Sequence, residues 1–176
     1  MIALVILIII LTWYITIYNR IKILHKKVLQ SKSGIEVYLN QRFDLIPNLV
    51  ECVKGYVNHE QKILETIIKE RKKFYETKNL SKGAEISNKC NEILALQENY
   101  PDLKASEQFL SLQDSLIKME NQLQAARRLY NSDVTMYNTE IETFPGLIVA
   151  KLLKLENEEL FEIQIYKKEN IDISGI

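Results

Sequence analysis

Few residues in this chain combine a reactive side chain with a spacing that chemistry requires. His59-Glu60 opens like a zinc-protease helix, in which two histidines one turn apart hold the metal and the glutamate acts as base, but Ile63 stands where the second histidine belongs. A carboxylate-bridged di-iron bundle needs Glu-x-x-His pairs, and the positions three before His25 and His59 carry Lys22 and Tyr56. Cys52 and Cys90 form no C-x-x-C pair and read as small helix-face residues. The neighbouring carboxylates Glu158-Glu159 read as solvated surface, and no phosphate loop, nucleophile elbow or dinucleotide fingerprint occurs. The expectation is a protein that is not an enzyme, with no catalytic residue, no metal site and no cofactor. No small-molecule substrate is implied. The run Lys69-Glu70-Arg71-Lys72-Lys73 contains an acid and sits at a helix end, where positive charge complements the dipole, so no nucleic-acid partner is expected.

A second group of residues invites a different chemistry. Glu60 and Arg71 interrupt an otherwise apolar helical seam about three turns apart, and Glu120, Arg127, Asn131 and Asn138 recur at spacings of seven, four and seven. Arg42, Asp44 and Asn48 can join them. Charges buried alone carry a penalty of several kcal/mol, so these groups should pair between helices. Two readings follow: a polar layer that fixes register and helix direction, or a ligand- or ion-sensing pocket in a bundle core.

The elements that must position these groups are helices. Five Gly and three Pro in 176 residues leave little turn chemistry for a many-stranded fold. From Ile2 to Tyr18 there is no charge, and only Thr12 and Thr16 are not hydrophobic. A helix of that length rises roughly 25 Å, close to the hydrocarbon thickness of a bilayer. Trp13, Tyr14 and Tyr18 suit its interface, and Arg20, Lys22, Lys26 and Lys27 follow. No basic stretch precedes the apolar run and no small-x-small cleavage site follows it, which disfavours a signal peptide. The positive flank predicts the N-terminus outside and the rest in the cytoplasm, at the cell membrane as a single-pass protein, where the two thiols fit a reducing compartment. The lysines next to the span suit anionic lipid headgroups.

Beyond the span, Ile21, Leu24, Val28, Ser31, Ile35, Tyr38, Arg42, Leu45 and Leu49 alternate by three and four, one seam of a coiled-coil-like helix. Pro47 must interrupt it, with Asp44 as one candidate cap for a fresh helix. A second seam runs Ile46, Val50, Val53, Val57, Glu60, Leu64, Ile67, Arg71 and Phe74, and ends at a polar loop, Asn79 to Gly83. A shorter helix carries Ile86, Cys90, Ile93 and Leu94, and Pro101 suits the first turn of another. The longest seam runs from Phe109 through Leu116, Leu123, Tyr130 and Tyr137 to Phe144, with one stutter at Ala126, Tyr130 and Val134. It predicts a straight helix of about 50 Å whose partner is the first segment. Charge supports that pairing. The zero net charge is a cancellation of +7 from Arg20 to Lys82 against −7 from Gly83 to Ile176.

The blocks RFDLIPNLVECVKGYVNHE (Arg42 to Glu60), ENYPDLKASEQFLSLQDSL (Glu98 to Leu116), ARRLYN (Ala126 to Asn131), Tyr137-Asn138 and Phe144-Pro145, with Arg71 and Glu120 between them, resemble the LemA family over Ile2 to about Leu155. That resemblance implies a mostly antiparallel helical bundle on one membrane anchor. The predicted fold is all-α, a transmembrane helix over 1–19 followed by a long antiparallel bundle, four-helix and up-and-down-like, over 20–155, with a polar tail over 156–176. The expected function is a membrane-anchored scaffold or interaction protein at the cytoplasmic face, whose partners are the lipid bilayer and a further protein or a second copy.

Overall fold

The computed structural model describes residues 1–56, 61–77 and 79–161. The elements among them are α1 (Ile2–Asp44), α2 (Ile46–Lys54), α3 (Gln61–Thr77), α4 (Leu80–Ala95), a 3-10 turn at Leu96–Glu98, α5 (Pro101–Lys104), α6 (Glu107–Glu142) and α7 (Gly146–Leu153). The all-α class is as the sequence predicts.

Helix α1 runs for 43 residues, about 65 Å, from the apolar segment into the domain without a break. Burial begins at Ile17 and recurs at Ile21, Val28, Ser31, Ile35 and Arg42, which is the expected seam. Leu39 and Phe43 add a neighbouring stripe. The first stripe packs on α6 and the second on the hairpin of α3 and α4, so the C-terminal half of α1 lies between α6 and that hairpin.

Helix α6 is 36 residues long, about 54 Å, and is started by Ser106, whose hydroxyl accepts from Phe109 N at 3.4 Å. It lies antiparallel to α1: Arg20 meets Glu140, the His25 ring meets Tyr137, and Arg42 meets Glu120. The first segment is thus the long partner that the α6 pattern demanded. The seam of α6 ends at Ile141, and Phe144 is exposed rather than buried, because the helix stops at Glu142 and Thr143 turns extended.

Two other local expectations change. Asn79 to Gly83 is not a loop: α4 starts at Leu80, with Asn79 Oδ1 accepting from Lys82 N at 3.2 Å. Gly83 is there for space, since a Cβ on it would stand 2.7 Å from Leu39 Cδ1 and 3.0 Å from Phe74 Cε2. The edge-on pair of Phe43 and Phe74, centroids 4.9 Å apart, closes that end of the core. Asp44 does not cap α2. Pro47 does sit in the first turn of α2, but the chain stays right-handed helical through Leu45 (φ −83, ψ −15) and offers no extended capping residue.

The half next to the apolar segment is built differently. Beside Ile17 to His25 the α1/α6 pair is covered by α7 and by residues 155–161, which carry no regular structure and run back along α6. Lys154 (φ 51) reverses the chain after α7, and Leu155 N donates to Ala150 O at 3.0 Å, closing the helix end.

Candidate functional site

Three of the predicted polar residues converge. Arg42 comes from the α1 seam, fully buried, and its Nη1 donates to Ser87 Oγ on α4 and to Glu120 Oε2 on α6. Its Nη2 donates to Asn91 Oδ1 at 2.6 Å. Ser87 Oγ donates to Glu120 Oε2 at 3.1 Å, and Gln124 Nε2 to Glu120 Oε1 at 2.7 Å. Arg127 Nη1 stands 3.8 Å from the same Oε1. One carboxylate therefore serves two buried guanidiniums. Burial pulls both arginines below the ordinary guanidinium range, and for Arg42 the charge of Arg127 adds to the effect while Cys90 opposes it. Burial pushes the Cys90 thiol up to about 11, with Arg42 drawing it back. Arg42 Nε and Arg127 Nε and Nη2 are buried without a hydrogen-bond partner among the described residues. This layer ties α1, α4 and α6 together at one level.

Arg71 belongs to a separate site. Its Nε donates to Phe43 O at 2.7 Å, and its Nη2 meets Asp44 Oδ1 at 3.3 Å, which also accepts from Tyr75 OH at 2.7 Å. In an unbroken helix Phe43 O would accept from the N–H of residue 47, and proline has none. Arg71 supplies a donor where Pro47 removes one. Asn48 is exposed and joins neither group, and Glu60 lies outside the described residues.

Asn131 and Asn138 do not pair with other helices. Each grips the backbone of one residue in 155–161: Asn138 Nδ2 donates to Glu158 O and its Oδ1 accepts from Glu158 N, both at 2.9 Å. Asn131 does the same to Phe161 at 3.1 and 2.8 Å. The spacing explains the fit, because seven helical residues and three extended ones both advance about 10 Å. Tyr137 OH and Tyr130 OH donate to Glu156 O and Glu159 O, and Arg127 stacks over the Phe161 ring at 5.0 Å. Glu158, expected as solvated surface, is half-buried with Oε1 3.1 Å from His25 Nε2. A carboxylate near both phenols pushes Tyr130 and Tyr137 up after burial does the same.

The aromatic and basic residues expected at a membrane interface lie where the seam begins. Tyr14 and Tyr18 stack at 6.4 Å, Lys22 lies over the Tyr18 ring at 5.7 Å, Arg20 pairs with Glu140 at 3.0 Å, and Trp13 is exposed. Sequence reasoning missed Ser87, Asn91, Gln124, His25, Tyr130 and Tyr137. Ser87 and Asn91 had a signal: they stand four apart beside the buried Ile86 and Cys90. A cleft of about 410 Å³ lies between Ile21, His25, Tyr137 and 154–158, and another of about 400 Å³ between α2 and Arg71; neither is lined by Glu120 or Arg127.

Comparison with known proteins gives one consistent result. Residues 31–174 match the LemA family, a match that starts after the apolar segment and continues past Leu155 into the tail. The chain is 27% identical to Protein LemA of Metamycoplasma hominis over 155 residues, covering 85% of this chain and 71% of that protein. It is 21% identical to Magnetosome protein MamQ of Magnetospirillum gryphiswaldense over 174 residues, 82% of this chain but 64% of that protein, which is less than two thirds.

Proposed function

The chain belongs to the LemA family, and from that premise we propose that it is a membrane-anchored, non-enzymatic helical scaffold whose domain stands at the cytoplasmic face and binds a further protein or a second copy. The observation that carries this reading is the coincidence of two boundaries on α1. The aliphatic side chains of the apolar segment are exposed as far as Ile15, Tyr14 is partly covered, and full burial against the domain begins at Ile17. That many exposed apolar groups are disfavoured in water at about 25 cal/mol per Å² and favoured in lipid. Because α1 continues unbroken, the anchor and the domain form one rigid element, as a scaffold requires. The charged layer supports a non-catalytic role, since its carboxylate is engaged by Arg42, Ser87 and Gln124. The kinship with a magnetosome protein supports a process at a membrane surface.

The test is carbonate extraction of membranes carrying the full chain, with Ile6→Arg/Ile9→Arg as the comparison. Retention that survives carbonate and is lost in the variant supports the anchor; equal release of both removes it. A reporter fused after Ile176 that is active only outside the membrane would reverse the orientation. Cross-linking in cells that returns neither a partner nor self-contacts would remove the scaffold.

A second reading, a sensor bundle, draws on the unpartnered N–H groups of Arg42 and Arg127. Under that reading small anions raise the thermal stability of the purified protein in a saturable way, and this response is absent under the scaffold reading.

A further inference from the structure

We propose that the α6–α7 corner is a second membrane contact, which dips into the headgroup region of the same leaflet that α1 enters. The inference rests on the anchor reading above. The antiparallel register sets the level: Arg20 pairs with Glu140 and the His25 ring meets Tyr137, so the end of α6 at Glu142 lies beside the turn of α1 around Tyr18 to Arg20, and Phe144 follows two residues past that end. Phe144 is 77% exposed there, next to the turn of α1 that carries Tyr18. Helix α7 then turns one face, Val149 and Ala150, onto the domain and leaves Ile148 (51%) and Leu152 (70%) uncovered.

The α7 face begins next to that turn and runs back to Lys154, which lines one cleft with Ile21, Lys22 and His25 at the charged flank of α1, and the cations Lys151 and Lys154 complement anionic headgroups there. Three acids lie near this level: Glu140 meets Arg20, Glu142 accepts from Asn157 Nδ2, and Glu156 is exposed beside Lys154. Gly146 lets the corner fold this tightly, because a Cβ there would stand 2.0 Å from Glu140 O. The partner is thus a lipid surface, entered to the usual 5–10 Å depth of an interfacial helix.

The experiment uses the full chain, with Cys52→Ser and Cys90→Ala, in vesicles of phosphatidylcholine and phosphatidylglycerol. A bimane label is placed in turn at Ile9, Ile148, Leu152 and, as the distal control, Ser111, with a quencher carried near the glycerol end of the lipid chains. The expected result is quenching at positions 148 and 152 at least threefold above that at Ser111, and stronger with phosphatidylglycerol than without. Quenching at Ile9 with none at 148 and 152 overturns the second contact while the anchor stands. No quenching at Ile9 overturns the anchor and the corner contact with it. Spin labels at Leu152 that broaden one another, without lipid quenching, identify a second copy as the occupant and also overturn the proposal.

Discussion

Neutralising Glu120 tests the charged layer most directly. Glu120→Gln keeps the volume and one acceptor oxygen but removes the carboxylate that faces Arg42, 1% exposed at its side chain, and Arg127, 7% exposed. Breaking a buried pair from one side costs about 3–5 kcal/mol, because the surviving charge has no counterpart. Here two cations survive, but the Glu120 side chain is itself 24% exposed, so water reaches the site and the lower end of that range, about 3 kcal/mol, is expected. Arg42→Met removes one cation and leaves Glu120 with Arg127 and Gln124, so its cost is smaller, about 1–2 kcal/mol, set by the lost bonds of Ser87 and Asn91. The double variant should cost about 2 kcal/mol less than the sum of the singles. The assay is urea unfolding of the full chain in micelles, followed by circular dichroism at four ionic strengths, since a buried network is little screened. Additive costs, or Glu120→Gln within about 0.5 kcal/mol of the parent, would refute the pairing argument. A gain in stability would instead favour a site held under strain for a ligand.

Other substitutions probe the remaining features. Gly146→Ala forces a Cβ against backbone at 2.0 Å and should cost more than about 3 kcal/mol in a thermal melt, whereas Gly83→Ala meets the movable tip of Leu39 and, offset by helix propensity, should cost under about 2. Arg71→Met should cost about 1–2 kcal/mol in the parent and distinctly less in Pro47→Ala, where the N–H of residue 47 returns to Phe43 O; equal costs would separate the two residues. Asn138→Ala should speed hydrogen exchange at Glu158 N at least tenfold while leaving the amides of α4 unchanged. The Cys90 thiol is raised from 9.0 to about 11, so the folded state holds the proton that the unfolded state releases; its contribution is full below pH 9 and is lost as pH rises through 11. Stability should therefore fall over that window, and Cys90→Ala should flatten the fall.

What was legible in the sequence is what repeats. The three-four spacing on α1 and α6 is set by two long helices burying one stripe against each other, so the seam residues and the pairing could be read directly. Arg42, Glu120 and Arg127 stood out because charge on such a stripe has few places to go. Single-contact features were not legible. Gly83 looks like punctuation, yet it marks a close approach that exists only once Leu39 and Phe74 are in place. Arg71 acts on a backbone carbonyl, which leaves no trace in residue types. Asn131 and Asn138 have the right period for the core, but that period also matches an extended segment, and 155–161 has no apolar rhythm to announce itself.

The layer, the register and the level of the α6–α7 corner along α1 are one problem. Heptad-patterned helices such as α1 and α6 can slide by seven residues and still bury apolar groups, so packing alone specifies their alignment weakly. A slip of one heptad in one direction would bring Arg127 to the level of Arg42, two buried guanidiniums without an anion between them; in the other it would offer Gln113, which has no charge to give. Only the observed alignment sets Glu120 against Arg42, and it also sets Glu140 against Arg20 and lets His25 reach Glu158. In each of these contacts the base comes from the basic first half and the acid from the acidic second. The charge asymmetry thus selects the register from among near-equal packings. That register fixes how far the α6–α7 corner reaches along α1. A substitution at Glu120, 22 residues before the end of α6, should therefore loosen the bilayer contact proposed for the corner as well as the core, which links the stability assay to the lipid-quenching assay through a single physical cause.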